Sequence, residues 1–412
     1  MTRSPQPPHA PSDAAPPPRK RVLVFNCGSS SLKFRLLQWP EEIELCRGAV
    51  EPIGSSDATL RFATPGQDTE SRSIDAGGHS AAVEAACERL LASGLLGGEG
   101  PDIVAHRFVH GGERFREPAV LDEESIEQID RLSPLAPLHN PPNLIGVAEA
   151  RRRFADARHV AVFDTAFHHT MPPHAARYAL PAKLCAEHGV RRYGFHGSSH
   201  RWASRRAAEL IGRPLQELKT VVLHLGAGAS ACAVDGGRSI DTSMGLTPLE
   251  GLVMATRCGN LDPGVVLYLQ RELGRSADDV DRLLNRESGL AGLAGTADMR
   301  QIEQRAAEGD SDAALALDMY TYRAASFVGA YATALGRLDA LVFTAGVGEN
   351  SATVRRGVCE RLAVFGVELD AAANEAASGD RAIQSNTSPT AVLVVQANEE
   401  LQIAREAVAA AG

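Results

Sequence analysis

The 412-residue sequence lacks several patterns that would assign it to a class at once. It has no apolar run near the roughly 20 residues that a membrane helix needs. It also has no excess of positive charge, since its formal net charge is −9. A membrane-spanning chain and a protein that binds nucleic acid through a basic surface are therefore disfavoured. With 44% apolar residues the chain can bury two cores, so we expect two soluble domains.

Cysteine is scarce and scattered. The seven cysteines form no C-x-x-C pair, so the sequence predicts neither a structural zinc site nor a disulfide framework. The histidines lack the H-E-x-x-H spacing, and Ser199 lacks a G-x-S-x-G elbow, which disfavours a zinc hydrolase and a serine hydrolase. Isolated thiols packed as small apolar groups are typical of a reducing compartment, and we expect a cytoplasmic protein.

What the sequence does contain is a tight turn of small residues that follows an apolar strand. In residues 26–31 (Asn-Cys-Gly-Ser-Ser-Ser) the turn offers backbone N–H groups and hydroxyls, with Lys33 two residues beyond it. Such a turn suits the terminal phosphates of a nucleotide, although a hairpin without a ligand has the same composition. It is not a Walker loop, which requires G-x-x-x-x-G-K-[ST] before a helix.

The same design recurs twice. An apolar strand leads into Gly226–Gly228, and another leads into Gly346–Gly348, where the following residues have helical spacing. Three turns of one style predict two related halves that face a shared nucleotide cleft. Strands alternate with helices, predicted at 202–211, 275–286, 311–336 and 399–411, so the fold class is α/β. Residues 1–20 carry seven prolines and no apolar periodicity, which predicts a disordered extension.

Charged and polar residues stand where strands end, as at the ligand sites of open α/β sheets. Arg107 could hold a carboxylate or phosphate through its planar fork, or form a structural ion pair. Asp164 follows an apolar strand and is either a helix cap or a catalytic base. His139 and Asn140 lie in a proline-bracketed loop. His196 stands beside a Gly-Ser-Ser turn, where it could donate to phosphate charge or fill a structural role.

In their order these segments resemble the acetate kinase (acetate/propionate kinase) family, from Arg21 to the C-terminus. The matching segments are 26–33, 106–113, 137–143, 193–200, 241–251, 256–259, 343–350 and 398–401. The resemblance implies the duplicated, ribonuclease H-like fold that actin, sugar kinases and heat-shock ATPases share. It implies two lobes around a nucleotide cleft: residues 21–168 with the C-terminal helix 399–412, and residues 169–398. Family members are similar in forming homodimers.

The resemblance also implies a reaction: reversible, Mg²⁺- or Mn²⁺-dependent phosphoryl transfer from ATP to acetate, giving acetyl phosphate and ADP by direct in-line transfer. A carboxylate is already a nucleophile at neutral pH, so catalysis should rest on alignment and on cations around the phosphoryl oxygens. We therefore expect Asp164 to orient its partners rather than act as an obligatory base.

Site residues follow from the same resemblance. The catalytic positions are Asp164, His196 and Arg257. The substrate positions are Arg107 for the carboxylate, His139, and an apolar acyl pocket of Val109, Leu138, Phe195 and Pro248. The metal positions are Asn26 and Glu399. The ATP positions are Lys33, His224, Leu225, Gly226, Ala227, Gly228, Asp298, Met299, Arg300, Gly346, Val347, Gly348, Glu349 and Asn350.

Two residues depart from the family pattern. Ala227 stands where the phosphate-binding turn usually has Asn, which predicts altered nucleotide affinity rather than loss of function. Asn260 replaces an Asp and puts any charged role there in doubt. Large side chains in the acyl pocket favour acetate, with propionate a poorer substrate. The alternatives are a propionate or other short-chain acid kinase, and a non-catalytic ATP-binding protein of the actin or chaperone type.

Overall fold

The computed structural model describes residues 19–28, 30–98, 100–137 and 139–412. The predicted proline-rich extension lies almost wholly outside these residues, as do Ser29 and Leu138. The described chain forms two mixed sheets with helices packed on them, which confirms the α/β class. No helix of the described residues is long and apolar enough to cross a membrane.

The first sheet has eight strands. They are β1 (Lys20–Cys27), β2 (Leu32–Trp39), β3 (Ile43–Glu51), β4 (Ser55–Ala63), β5 (Glu70–Ala76), β6 (Ile103–Phe108), β7 (Ala119–Val120) and β8 (Arg158–Phe163). Their order is β5-β4-β3-β2-β1-β6-β8-β7. The parallel strands β1, β6 and β8 place Asn26, Arg107 and Asp164 at one edge, because the carboxyl ends of parallel strands coincide.

The second sheet has six strands. They are β9 (Lys219–Leu225), β10 (Ala229–Asp235), β11 (Arg238–Thr242), β12 (Ala340–Thr344), β13 (Arg381–Ala382) and β14 (Ala391–Val394), in the order β11-β10-β9-β12-β14-β13. Each sheet thus has an antiparallel hairpin (β1–β2, β9–β10) whose first strand pairs in parallel with a later one (β6, β12). This repetition is what two related halves require.

Helices cover both sheets. They are α1 (His79–Ala92), α2 (Glu123–Arg131), α3 (Asn140–Arg153), α4 (Pro173–Ala176), α5 (Ala182–His188), α6 (Gly197–Ile211), α7 (Pro263–Arg271), α8 (Ala277–Arg286), α9 (Gly289–Ala294), α10 (Met299–Ala307), α11 (Ser311–Leu335), α12 (Ala345–Asn350), α13 (Ala352–Glu360), α14 (Ala371–Glu375) and α15 (Glu399–Ala411). The four helices expected from periodicity are present, although α6 begins five residues earlier than expected. Gly346 and Gly348 lie inside α12, so the predicted turn there was wrong.

The C-terminal helix returns to the first sheet. Leu401, Ile403 and Ala404 of α15 pack in one cluster with Val24 and Val162, two buried residues of β1 and β8. Burial of this apolar face fixes the start of α15 beside the carboxyl ends of those strands. The division into lobes at 168 and 399 stays a prediction.

Candidate active site

Arg107 and Asp164 form a bidentate ion pair at the ends of β6 and β8. Nε of Arg107 donates to Oδ1 of Asp164 at 2.8 Å, and Nη2 donates to Oδ2 at 2.6 Å. Nη1 donates to Oδ1 of Asn26 at 2.9 Å. Burial alone would lower the pKa of Arg107, but the Asp164 carboxylate raises it, so the guanidinium stays charged. This geometry is compatible with both roles considered for Arg107, a structural ion pair and an anchor for an anionic ligand.

Arg107 retains capacity for a ligand. A guanidinium has five N–H groups, and these bonds use three of them. Asp164 has both side-chain oxygens engaged, and its main chain joins two elements. Its N–H donates to the carbonyl of Phe108, and its carbonyl accepts from the N–H of Gly197, the first residue of α6. This geometry is compatible with the orienting role expected for Asp164, which stays a prediction.

His196 lies at the start of α6 in a buried hydrogen-bond chain. Its Nδ1 is 2.9 Å from Oγ of Ser230, and the same oxygen is 2.8 Å from Nε2 of His200. Nδ1 of His200 is buried without a partner in the described chain. A buried unprotonated ring nitrogen without a partner costs less free energy than a buried N–H without one, so the proton of His200 lies on Nε2. Nε2–H of His200 then donates to Oγ of Ser230, and the Ser230 hydroxyl donates to Nδ1 of His196. This network assigns the proton of His196 to Nε2.

The histidines of the cleft are neutral. Burial, with the neighbouring His224, holds the pKa of His196 well below its usual value. Burial lowers the pKa of His224 to about 3, and burial with Arg257 lowers that of His139 to about 4. The rings of His196 and His224 stack with centroids 4.1 Å apart, which two charged imidazoles would oppose. Fixed positive charge in the cleft therefore comes from arginine.

Arg257 is the second arginine of the cleft. Its Nη1 donates to the carbonyl of Pro248 at 2.9 Å, and burial lowers the pKa of its guanidinium. A Cβ built on Gly228 would lie 3.3 Å from the His196 ring and 3.6 Å from Nη1 of Arg257. The glycine turn between β9 and β10 therefore lets His196 and Arg257 approach the backbone together, as a phosphate site requires.

A cavity of about 720 Å³ extends from this turn towards α10 and α12. Eight of the predicted ATP positions line it: Gly226, Ala227, Asp298, Met299, Arg300, Gly346, Val347 and Asn350. Among the remaining predicted positions, Leu225 is buried in the core and Gly348 packs against it. Glu349 accepts a hydrogen bond from the N–H of Ala397 at 2.9 Å. These three support the cavity wall rather than line it.

Glu399, the first residue of α15, faces the same cleft. Burial raises its pKa to about 6, against the lowering effect of Arg107, and Glu400 and Asp164 raise it further. Nδ1 of His224 lies 3.9 Å from Oε1 of Glu399. The amide oxygen of Asn26 contacts Arg107, whose charge also acts on Glu399. A carboxylate crowded by other carboxylates, together with an amide oxygen, is a donor set that suits a hard divalent cation. The predicted metal positions therefore fit Mg²⁺.

Mg²⁺ usually keeps several waters and takes one or two carboxylates plus substrate phosphates. The described residues hold no group of three or more His, Cys, Asp or Glu side chains arranged as a metal cage. Lys33 stands opposite Asn26 in the β1–β2 pairing, is exposed, and lowers the pKa of Glu399. Its predicted contact with bound phosphate stays a prediction.

Three of the four expected acyl-pocket residues lie in the described chain. Val109 and Phe195 are buried in one cluster, and Pro248 is held to Arg257 through its carbonyl. Leu138 lies outside the described residues. His139 is the N-cap residue of α3, and the charges of both Arg257 and Arg107 help to lower its pKa.

One expectation was wrong, and the Asn260 position has a defined contact. Asn140 is not presented by a loop: it begins α3 and is buried, with Nδ2 donating to the carbonyl of His110 at 3.0 Å. It therefore has a structural role. Asn260 accepts from the N–H of Gly251 at 2.9 Å, a bond that an Asp would also accept, so this departure costs no contact seen in the structure.

Sequence reasoning missed three supporting residues. Ser230 links two histidines, and Ser199 is hydrogen-bonded to Nδ1 of His224 at 2.8 Å. Arg355, 1% exposed, donates to the carbonyls of Gly348 and Glu349 and to Asn374, which fixes the end of α12. Nothing in the local sequence marks them, because their partners lie on other elements.

Comparisons with known proteins identify the family. The Acetokinase family matches residues 21–405. The acetate kinase of Leifsonia xyli is 52% identical over 94% of this chain and 98% of that protein, and that of Streptomyces griseus is 50% identical over 95% and 96%.

Solved structures show the same likeness. The acetate kinase of Porphyromonas gingivalis superposes with a TM-score of 0.87 at 41% identity, covering 95% of this chain and 100% of that one. A propionate kinase of Francisella tularensis gives 0.89 at 40% identity, covering 95% and 99%. The expected duplicated actin-like fold, with two lobes around a nucleotide cleft, is thereby confirmed. The chain belongs to the acetokinase family.

Proposed function

We propose that the chain is an acetate kinase, transferring the terminal phosphoryl group of ATP to acetate to give acetyl phosphate and ADP. The observation that carries the proposal is the meeting of Arg107, Asp164, His196 and Arg257 beside the Gly226–Gly228 turn. The near full-length relatives named acetate kinases make a non-catalytic ATP-binding role the weaker alternative.

The roles follow from the contacts. The two N–H groups that Arg107 does not use for Asp164 and Asn26 orient the acetate carboxylate towards the terminal phosphorus. Asp164 holds Arg107 in place. Nε2–H of His196 and the guanidinium of Arg257 donate to the oxygens of the phosphoryl group, where charge changes during transfer. A neutral His196 donates through Nε2–H and neither gains nor loses a proton during the transfer.

The nucleotide lies in the cavity lined by Ala227, Asp298 and Gly346, with its phosphates directed to the glycine turn. Asn26 and Glu399 would hold Mg²⁺, or Mn²⁺, which neutralises phosphate charge when bound. Val109 and Phe195 limit the acyl group, so propionate should react more slowly than acetate, since one methylene is worth about 1–3 kcal/mol. A reducing, cytoplasmic location stays part of the proposal.

We also propose a homodimer. No residue of α7 is buried within the chain, although the helix is largely apolar. Leu261, Leu267, Tyr268 and Leu273 are 40–56% exposed, and together they form an apolar face around α7. Contiguous apolar surface of this kind favours a subunit interface.

The test is acyl hydroxamate formation from ATP, Mg²⁺ and acetate, propionate or butyrate. The wild type should give most product with acetate, and Arg107→Gln should lose at least about a hundredfold in kcat/KM, because a charge-assisted carboxylate anchor is removed. Arg153→Gln is the matched control: it removes a half-buried arginine, paired with Glu84 at 2.6 Å, on the outer helices.

Each outcome has a clear meaning. Full activity in Arg107→Gln would contradict the assigned anchor. A maximum with propionate, as the named activity of the Francisella tularensis protein suggests, would move the chain to the alternative within the family. No acyl phosphate from any acid would contradict the kinase itself.

A further inference from the structure

A second cavity, of about 530 Å³, lies between α6 and α15 and shares no lining residue with the nucleotide cavity. Four arginines line it, Arg116, Arg201, Arg205 and Arg405, together with two carboxylates, Glu117 and Glu406. A concentration of guanidinium groups around one cavity is unexpected in a chain of net charge −9.

Two of these arginines are neutralised within the protein. Nη1 of Arg201 lies 3.3 Å from Oε2 of Glu406. Arg405 donates from Nε and Nη2 to the two carboxylate oxygens of Glu42, both at 2.7 Å. Their positive charges are therefore balanced by carboxylates, in contacts that link α15 to α6 and to the first sheet.

The other two arginines are not neutralised by the described part of the chain. Arg116 donates from Nε to the backbone carbonyl of Glu113 at 3.1 Å and has no carboxylate within 4.0 Å in the ranges that the structure covers. Arg205 has neither a hydrogen bond nor an ion pair to any described residue. Burial lowers its pKa, Arg201 and Arg405 lower it further, and the nearby Glu406 carboxylate raises it. Arg205 is thus an exposed cation that is crowded by other cations and forms no ion pair with a described carboxylate.

The two arginines come from different halves of the molecule. Arg205 lies on α6, whose Ala203 and Ala207 pack against Val222 and Val342 of the second sheet. Arg116 lies just before β7 of the first sheet. The cavity also connects to the catalytic cleft through its helices, because α6 begins directly after His196 and α15 begins with Glu399.

We propose that this cavity binds a small anion with at least two negative charges, held by Arg205 and Arg116 across the two halves. Guanidinium forks match both phosphate and carboxylate oxygens. The cavity is larger than an inorganic anion needs, so the ligand is a small phosphate ester or a dicarboxylate. This proposal does not depend on the catalytic activity, and its test measures binding alone.

The test is isothermal titration of glycerol 3-phosphate and, separately, of succinate into the full chain at fixed ionic strength. Arg205→Gln and Arg116→Gln should each weaken binding by about tenfold, the loss expected for one charge-assisted hydrogen-bonded contact. Arg206→Gln is the control: it lies next to Arg205 on α6 but is paired with Asp380 at 2.6 Å outside the cavity. Thermal unfolding confirms that each variant is folded.

Binding of one probe alone identifies the ligand class and supports the site. Equal affinity in the two cavity variants and the wild type would overturn it, because the anion would then bind elsewhere, for instance in the nucleotide cleft. An effect of only one arginine would overturn the bridging of the two halves. Failure of both probes to bind the wild type would overturn the proposal altogether.

Discussion

At the scale of single residues, the charge of Glu399 lowers the stability of the metal-free fold, although we propose that this charge holds Mg²⁺. Its pKa in the folded chain is about 6, above the ordinary value of 4.5. A carboxyl with a raised pKa stabilises the fold fully below pH 4.5, and that stabilisation is lost as the pH rises through about 6. At neutral pH, the charged Glu399 therefore destabilises the metal-free protein by up to about 2 kcal/mol.

Glu399→Gln, which keeps the shape and removes the charge, should therefore be more stable than the wild type at about pH 7.5, by up to about 2 kcal/mol. The difference should narrow as the pH falls through 6 and close near 4.5. The same change should abolish activation by Mg²⁺. Urea unfolding in metal-free buffer measures the first effect and the Mg²⁺ dependence of kcat the second. A variant less stable than the wild type at every pH would contradict this account.

Ser230 offers the second prediction at this scale. Ser230→Ala removes the donor to Nδ1 of His196, so the ring is free to place its proton on either nitrogen. We expect kcat to fall about tenfold with little change in KM. The factor corresponds to the loss of one hydrogen bond to His196, the side chain that we propose contacts the transferring phosphoryl group.

Ser239→Ala is the matched control for Ser230→Ala. Ser239 is equally buried and its hydroxyl is 2.8 Å from Nδ1 of another buried histidine, His168, outside the cleft. A similar loss of kcat in both variants would show that buried serine–histidine bonds matter only for packing.

At the scale of elements, the β9–β10 turn carries Ala227, one of the residues that depart from the family pattern. Ala227 is exposed at the tip of the turn, lines the nucleotide cavity, and uses only its carbonyl, which accepts from Ala255. Ala227→Asn therefore adds a side-chain donor without displacing a neighbour. We expect the KM for ATP to fall about threefold to tenfold at unchanged kcat. One added hydrogen bond of about 1 kcal/mol would stabilise bound ATP equally in the ground state and in the transition state. Steady-state kinetics with varied ATP is the measurement, and a raised KM would contradict it.

The strands and helices also show how much of the fold and of the candidate site the sequence could predict. Arg107 and Asp164 could be brought together in advance, because Arg107 lies near the end of one apolar strand, Asp164 follows another, and parallel strands share an edge. Strand β5 could not be found, since only Ala76 of its seven residues is buried and the apolar pattern is absent. The start of α12 was missed because Gly346 and Gly348 are typical of turns. The bonds of Ser230 and Arg355 depend on tertiary packing, which local patterns do not contain.

At the scale of the whole molecule, the apolar face around α7 should hold two copies together. Leu267→Glu places a charge on that face and should shift the chain from dimer to monomer, because burying an unpaired carboxylate is costly. Sedimentation velocity measures the change. Leu184→Glu is the control, since Leu184 is 45% exposed on α5, close to the 47% of Leu267. A dimer that survives Leu267→Glu and not Leu184→Glu would place the interface elsewhere.

The return of α15 to the first sheet has a consequence for how the protein is made. Strands β1, β6 and β8 leave the ribosome early, yet the apolar face that α15 covers stays open until the C-terminal residues are translated. Glu399 arrives with the same helix. A nascent or truncated chain that ends before residue 399 therefore has Arg107, Asp164 and the glycine turns but lacks the carboxylate that we propose holds Mg²⁺. Translation of α15 thus covers this face and supplies that carboxylate in a single step, and chains that end before residue 399 should transfer no phosphate.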